Sequence, residues 1–213
     1  MAPMISGVYA IVDAGGGVAV ERAESAAQAL LAGGVRLLQL RAKSIPIRDL
    51  LALARRLRAI TRSAGAQLII NDRPDVAVIA EADGVHLGQA DLPAEAVRPW
   101  LPAGMAIGVS CHDLAQVEAA LRGGAASYLG YGPVYPTRSK ESPDPVTGID
   151  GLSAACRLAA ALPVVAIGGI TVAALPEIRA AGARSAAMIS DLLARGDIEA
   201  RARAAVAAFG GPT

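Results

Sequence analysis

The sequence predicts an α/β protein, a (β/α)8 TIM barrel built as a single domain over residues 1–213. Three observations carry this reading. Eight short apolar runs alternate with helical patterns from one end of the chain to the other. The length of 213 residues fits the ~200 to 250 that eight βα units need. No Ser-, Gln- or Pro-rich linker divides the chain, and it is long enough for one sizeable core. The apolar runs are continuous rather than alternating, as in parallel strands covered on both faces, so periodicity alone does not exclude a doubly wound open sheet.

The elements follow in order. VYAIVDA (8–14) is the first strand run, and AVERAESAAQALLAGG the helix after it. RLLQLRAK (36–43) precedes the long amphipathic stretch IRDLLALARRLRAITRSAG. QLIIND (67–72), GVHLGQ (84–89) and AIGVSC (106–111) are the next three strands, the last leading into DLAQVEAALRGGA. SYLGYGPVY (127–135) precedes SAACRLAAALP, VVAIGGI (164–170) precedes VAALPEIRAAGA, and AAMIS (186–190) is the eighth strand. Each crossover is long enough to bring the chain back parallel. Gly33, Gly65, Gly123 and Gly182 stand where a helix C-terminus favours a left-handed residue.

Composition narrows the partners. Twenty Lys and Arg against nineteen Asp and Glu leave a formal net charge of +1, which gives no general attraction for nucleic acid or an anionic membrane. Aromatic residues are 3% of the chain, too few for base stacking as a binding mode. A small molecule is the expected partner. Cys111 and Cys156 are the two cysteines and form no CxxC pair, so neither a disulfide framework nor a structural zinc site is expected. No apolar run reaches the ~18 residues of a membrane span, and the start MAPMISGVYA has no basic leader pattern. The expectation is a reduced, cytoplasmic protein.

In a barrel of this kind the chemistry sits at the C-terminal ends of the strands, and seven of the eight runs deliver polar or glycine positions there. QLRAK places Gln39, Arg41 and Lys43 at spacing two, on one face of a strand. Two inward cations need anions, supplied by a bound ligand or by neighbouring carboxylates. Asp72 and Asp91 end consecutive strands. Either they converge on a hard cation such as Mg2+ or each caps the helix that follows. Asp75, Asp83 and Asp113 read as caps or surface residues. GPVYPTRSK brings Thr137, Arg138, Ser139 and Lys140 to the rim after the sixth strand, with the polar, Pro-rich ESPDPVTG behind it as a candidate lid. AIGGI lets a phosphate approach the backbone near a helix start at Thr171, and Gly169 and Ser190 lie where barrels often bind phosphate. His86, between Val85 and Leu87, reads as a structural histidine; neither it nor His112 has metal-ligand spacing to a cysteine. Cys111 beside Ser110 lacks an identifiable base.

The ordered set QLRAK, IINDRPD, DGVHLGQAD, IGVSCH, GYGPVYPTRSK, AIGGI and MIS resembles the thiamine-phosphate synthase family, from about Tyr9 to Ser190. The resemblance implies a (β/α)8 enzyme of thiamine biosynthesis, a transferase that joins 4-amino-2-methyl-5-hydroxymethylpyrimidine diphosphate to a thiazole phosphate and releases pyrophosphate. It assigns Gln39, Leu40, Arg41, Ala42, Lys43, Asn71, Ser110 and Lys140 to the pyrimidine diphosphate and Asp72 and Asp91 to Mg2+. It gives Thr137, Arg138, Ser139, Gly169, Ile189 and Ser190 to the thiazole phosphate. Lys140, Arg41, Lys43 and Ser110 are then the candidate catalytic residues, acting on a diphosphate that leaves before the thiazole nitrogen attacks. A homodimer is usual for the resemblance. A thiazole tautomerase of the same fold, or a silent phosphate-ligand binder, are the alternatives.

Overall fold

The computed structural model of the protein describes residues 5–16, 18–137, 144–193 and 196–210. Eight strands pair in parallel and in chain order: β1 Gly7–Asp13, β2 Leu37–Arg41, β3 Gln67–Asn71, β4 Gly84–Leu87, β5 Ala106–Cys111, β6 Tyr128–Tyr131, β7 Val164–Ala166 and β8 Ser185–Met188. The barrel closes where β8 pairs with β1, Gly7 opposite Ser185 and Ala10 opposite Met188. That pairing excludes the open sheet. The helices are α1 Ala23–Ala32, α2 Ile47–Ser63, α3 Pro74–Ile79, α4 Ala94–Val97, α5 Leu114–Gly123, α6 Gly148–Ala159, α7 Leu175–Ala180, α8 Ser190–Leu193 and α9 Ile198–Phe209.

Strand side chains alternate between two faces, and here both faces are apolar. Tyr9, Leu37, Ile69, Tyr128, Val165 and Ala187 point inward and fill the barrel. The residues between them, such as Val8, Ala10, Leu38, Leu40, Leu68, Ile70 and Ile107, face the helices and join the larger core. This double burial explains why the strands show no hydrophobic alternation. Helix α2 is the clearest amphipathic partner: Leu50, Leu53, Ala54, Leu57 and Thr61 are its buried face, and each such leucine contributes ~1.5 to 3 kcal/mol. Asp113 and Asp197 cap α5 and α9, their side chains accepting from the amides of Gln116 and Ala200.

Several sequence expectations need correction. The left-handed glycine after α1 is Gly34 rather than Gly33, and after α5 it is Gly124 rather than Gly123; α1 ends at Ala32 with Gly33 as its C-cap at φ −73°, whereas α5 takes in Gly123 as its last residue. Gly65 and Gly182 are left-handed as expected. The sixth and seventh strands stop early, at Tyr131 and Ala166. Gly132, Gly168 and Gly169 take positive φ there and break the ladder. Among the described residues, no helix is long and apolar enough to cross a membrane.

Candidate active site

The C-terminal ends of the strands surround a cavity lined by Gln39, Arg41, Asn71, Ser110, Thr137, Gly169, Ile189 and Ser190 among the expected residues. Strand alternation brings them together: Gln39, Asn71 and Ser110 occupy inward positions near the ends of β2, β3 and β5. Leu40 is fully buried in the core beneath the helices, and Ala42 packs against that same core. Arg138, Ser139 and Lys140 lie outside the described residues.

Both strand-end cations have carboxylate partners. Arg41 donates through Nη1 to Asp13 Oδ1 at 2.5 Å, a contact that ties the ends of β2 and β1. Lys43, past the end of β2 and 60% exposed, lies 3.1 Å from Asp72 Oδ2. Asp72, with φ of 61°, turns left-handed directly after β3 while its amide donates to the His86 carbonyl. Asp91 Oδ2 accepts from the Gly88 amide at 2.7 Å. Burial, followed by the adjacent charge and hydrogen bond of Asp72, raises the Asp91 pKa from its ordinary value, although the Gly88 amide and Lys43 pull the other way. Neither carboxylate caps the helix after it: Arg73 and Pro93 are the N-cap residues of α3 and α4, with no side-chain cap.

The cavity floor is polar although it lies inside the barrel. Gln39 Nε2 donates to the Tyr9 hydroxyl at 2.8 Å, and the Tyr9 and Tyr128 hydroxyls are 3.0 Å apart. Tyr128 Oη lies 3.0 Å from His86 Nδ1, whose Nε2 lies 3.0 Å from Ser110 Oγ. Burial raises both phenol pKa values far above their ordinary range, so both are neutral. Glycines make the room: a Cβ on Gly108 would overlap the Tyr128 ring and His86 Nδ1, and one on Gly130 would press on the His86 ring.

On the β6–β7 side, the chain after β6 docks on β7 through Val134 N to Ile167 O at 2.8 Å and Tyr135 N to Gly168 O at 3.1 Å. A Cβ on Gly169 would strike the backbone of Tyr135 and Pro136. The glycine thus seats this loop, in addition to lining the cavity. The amide of Val172, at the helix start expected to face phosphate, donates to Asp191 Oδ2 at 2.8 Å. At the mouth, His112 Nδ1 sits 2.5 Å from the Gly132 carbonyl and its Nε2 lies 3.4 Å from Asp144 Oδ2.

Sequence reasoning passed over Asp13, Tyr9, Tyr128 and the place of His86 in the cavity wall. Asp13 is the one charged residue of VYAIVDA and stands at its end, the signal already used on the other seven strands. Burial pushes the Cys111 thiol up to about 12, with the charge of Asp113 adding to it; a thiolate nucleophile at neutral pH does not fit.

Residues 8–192 match the family described as thiamine monophosphate synthase. A putative thiamine-phosphate synthase of Geobacter sulfurreducens is 49% identical over 177 residues, covering 83% of this chain and 82% of its own. The thiamine-phosphate synthase of Myxococcus xanthus is 44% identical over 180 residues, covering 84% and 82%. The thiamine phosphate pyrophosphorylase structure from Pyrococcus furiosus superposes with a TM-score of 0.85 at 32% identity and covers 95% of both chains. With the barrel, the rim carboxylates and the ordered motifs all in place, this chain belongs to the thiamine monophosphate synthase family.

Proposed function

We propose that the protein is a thiamine-phosphate synthase, a transferase joining 4-amino-2-methyl-5-hydroxymethylpyrimidine diphosphate to 4-methyl-5-(2-phosphoethyl)thiazole, or to its carboxylated precursor, with release of pyrophosphate. The observation that carries this reading is the juxtaposition of a neutral, hydrogen-bonding floor with a charged rim. Gln39, Ser110 and Asn71 line the cavity and suit a heteroaromatic ring. Arg41 lines the same cavity, and Lys43 with Asp72 and Asp91 stands beside it, where a diphosphate belongs.

Asp72 and Asp91 fit Mg2+. The Asp72 charge raises the cost of charging Asp91, Lys43 pairs with Asp72, and Mg2+ takes one or two carboxylates together with substrate oxygens. When bound, Mg2+ supplies positive charge to offset that of the diphosphate. The chain's own part is to hold the pyrimidine on Gln39, Asn71 and Ser110 and to face the leaving group with Arg41, Lys43 and Lys140. Thr137, Arg138, Ser139, Gly169, Ile189 and Ser190 hold the thiazole phosphate in line with the carbon it attacks. Positioning and fixed charge carry such a reaction. A general base is not needed, because the attacking nitrogen brings a lone pair and no proton; the neutral Tyr9 and Tyr128 phenols agree with that.

Purified protein given Mg2+ and both substrates is expected to release pyrophosphate and thiamine phosphate in equal amounts, followed by chromatography, and to stop after exhaustive EDTA treatment. No product from substrates that a known synthase consumes would overturn the reading. Turnover that survives EDTA would remove Asp72 and Asp91 from a metal role.

A further inference from the structure

We propose that Tyr9, Tyr128 and His86 form a one-directional hydrogen-bond chain that fixes the His86 proton on Nε2 and thereby makes Ser110 a hydrogen-bond donor into the cavity. The three are positioning residues: they act on the substrate through Ser110. The proposal rests on reading this cavity as the pyrimidine diphosphate site.

The direction follows from counting protons. Gln39 donates through Nε2 to the Tyr9 oxygen. Among the described residues Tyr9 hydrogen-bonds one further side chain, Tyr128, at 3.0 Å. If Tyr128 donated to Tyr9, the Tyr9 proton would be left buried with no acceptor, an arrangement folded proteins avoid. Tyr9 therefore donates to Tyr128, and Tyr128 passes its own proton to the next atom along, His86 Nδ1. A neutral imidazole that accepts at Nδ1 carries its hydrogen on Nε2. That hydrogen points to Ser110 Oγ, 3.0 Å away. The Ser110 hydroxyl thus accepts from within the protein, and its own proton has no acceptor among the described residues. Ser110 lines the cavity, so this proton is offered to an acceptor atom of the bound pyrimidine diphosphate.

The surroundings hold the chain rigid. The Tyr9 and Tyr128 rings meet edge to face at 6.2 Å. Tyr9 and Tyr128 are wholly buried, and Gln39, His86 and Ser110 are nearly so. Burial keeps both phenols protonated over the whole physiological range, so neither link drops its proton. Glycine at 108 leaves space for both the Tyr128 hydroxyl and the His86 ring.

The chain has two histidines, and they give opposite expectations at Nδ1. His112 Nδ1 faces the Gly132 carbonyl, which can only accept, so His112 is protonated at Nδ1 and serves as the internal reference. Long-range 1H–15N spectra of the histidine-labelled protein without substrate are expected to show His86 unprotonated at Nδ1 and protonated at Nε2. A protonated Nδ1 on His86 would mean the chain runs the other way and would overturn the proposal. Because no substrate is present, this result is independent of the functional reading.

The second arm is Tyr128→Phe, which keeps the ring and removes one link. Loss of one hydrogen bond's worth of orientation is expected to raise KM for the pyrimidine diphosphate ~5- to 10-fold. KM for the thiazole phosphate should be unchanged, and the His86 signals should move toward a tautomer mixture. An equal rise in both KM values, or no change in either KM or tautomer, would reduce these residues to packing. The wild-type spectrum decides the direction even if the variant does not fold.

Discussion

Arg41 shows how a single contact fixes a charged side chain at the rim. Its guanidinium is 19% exposed and Asp13 is 10% exposed, so each is largely withdrawn from water, and removing one charge leaves the other poorly compensated. Asp13→Asn is expected to lower stability by ~1 to 3 kcal/mol, read as a lower denaturation midpoint. Pyrophosphate should recover more of the lost stability in the variant than it adds to the wild type, since it resupplies an anion to Arg41. A wild-type midpoint in the variant would show that the pair holds nothing in place. At this scale the site was partly legible in the sequence. Gln39, Arg41, Asn71, Ser110 and Ser190 were readable because each ends an apolar run, where a polar side chain has no role in the core. Tyr9 and Tyr128 were not, because a tyrosine inside an apolar run looks like packing. The meaning of each hydroxyl depends on a partner 119 positions away in the chain. His86 read as structural from its apolar neighbours, and in the barrel it is both packed and part of the cavity wall.

At the scale of elements, the middle strands of the barrel trade side-chain volume across their ladders. Gly108 on β5 pairs directly with Tyr128 on β6, and a methyl group on Gly108 would overlap the Tyr128 ring tip and His86. Gly108→Ala is therefore expected to cost ~1 to 3 kcal/mol through overpacking, and to weaken turnover by displacing His86 from Ser110. Urea unfolding and steady-state kinetics on the same preparation check both; an unchanged midpoint would mean the floor can relax around an extra carbon. The order of elements was legible because a βα repeat imposes a rhythm that survives the absence of alternation. What the sequence hid was the short and the alanine-rich. Helices α3, α4 and α8 are too brief to show a period, and α9 buries a face made of Ala202, Ala205 and Phe209, which offers little contrast with its exposed alanines. The early ends of β6 and β7 were hidden in the same way: GYGPVY and AIGGI are apolar throughout, and only the positive φ values at Gly132, Gly168 and Gly169 show where pairing stops.

The whole molecule separates its two faces by task. The C-terminal rim gathers Arg41, Asp72, Asp91 and the cavity. The N-terminal end of the barrel is built for closure: Ser185 is fully buried and donates through Oγ to the Gly7 carbonyl at 2.8 Å, across the seam where β8 meets β1. Nearby, Asp83 accepts from the Leu68 amide and from Arg58, tying α2 to the start of β3. Polar residues at this end satisfy backbone groups, whereas Gln39, Asn71 and Ser110 at the other end line the cavity, a division expected of such barrels. Ser185→Ala removes one buried hydrogen bond while keeping the side chain small. It is expected to cost about 1 kcal/mol, seen as a fall in Tm of ~2 to 4 °C for a chain of this size, with kcat and both KM values unchanged. The test is sharp because Ser185 and Ser110 are the same residue type, both buried, at opposite ends of one barrel. If Ser185→Ala lowered kcat at constant stability, strain at the seam would be reaching the rim, and the separation of the two faces would fail.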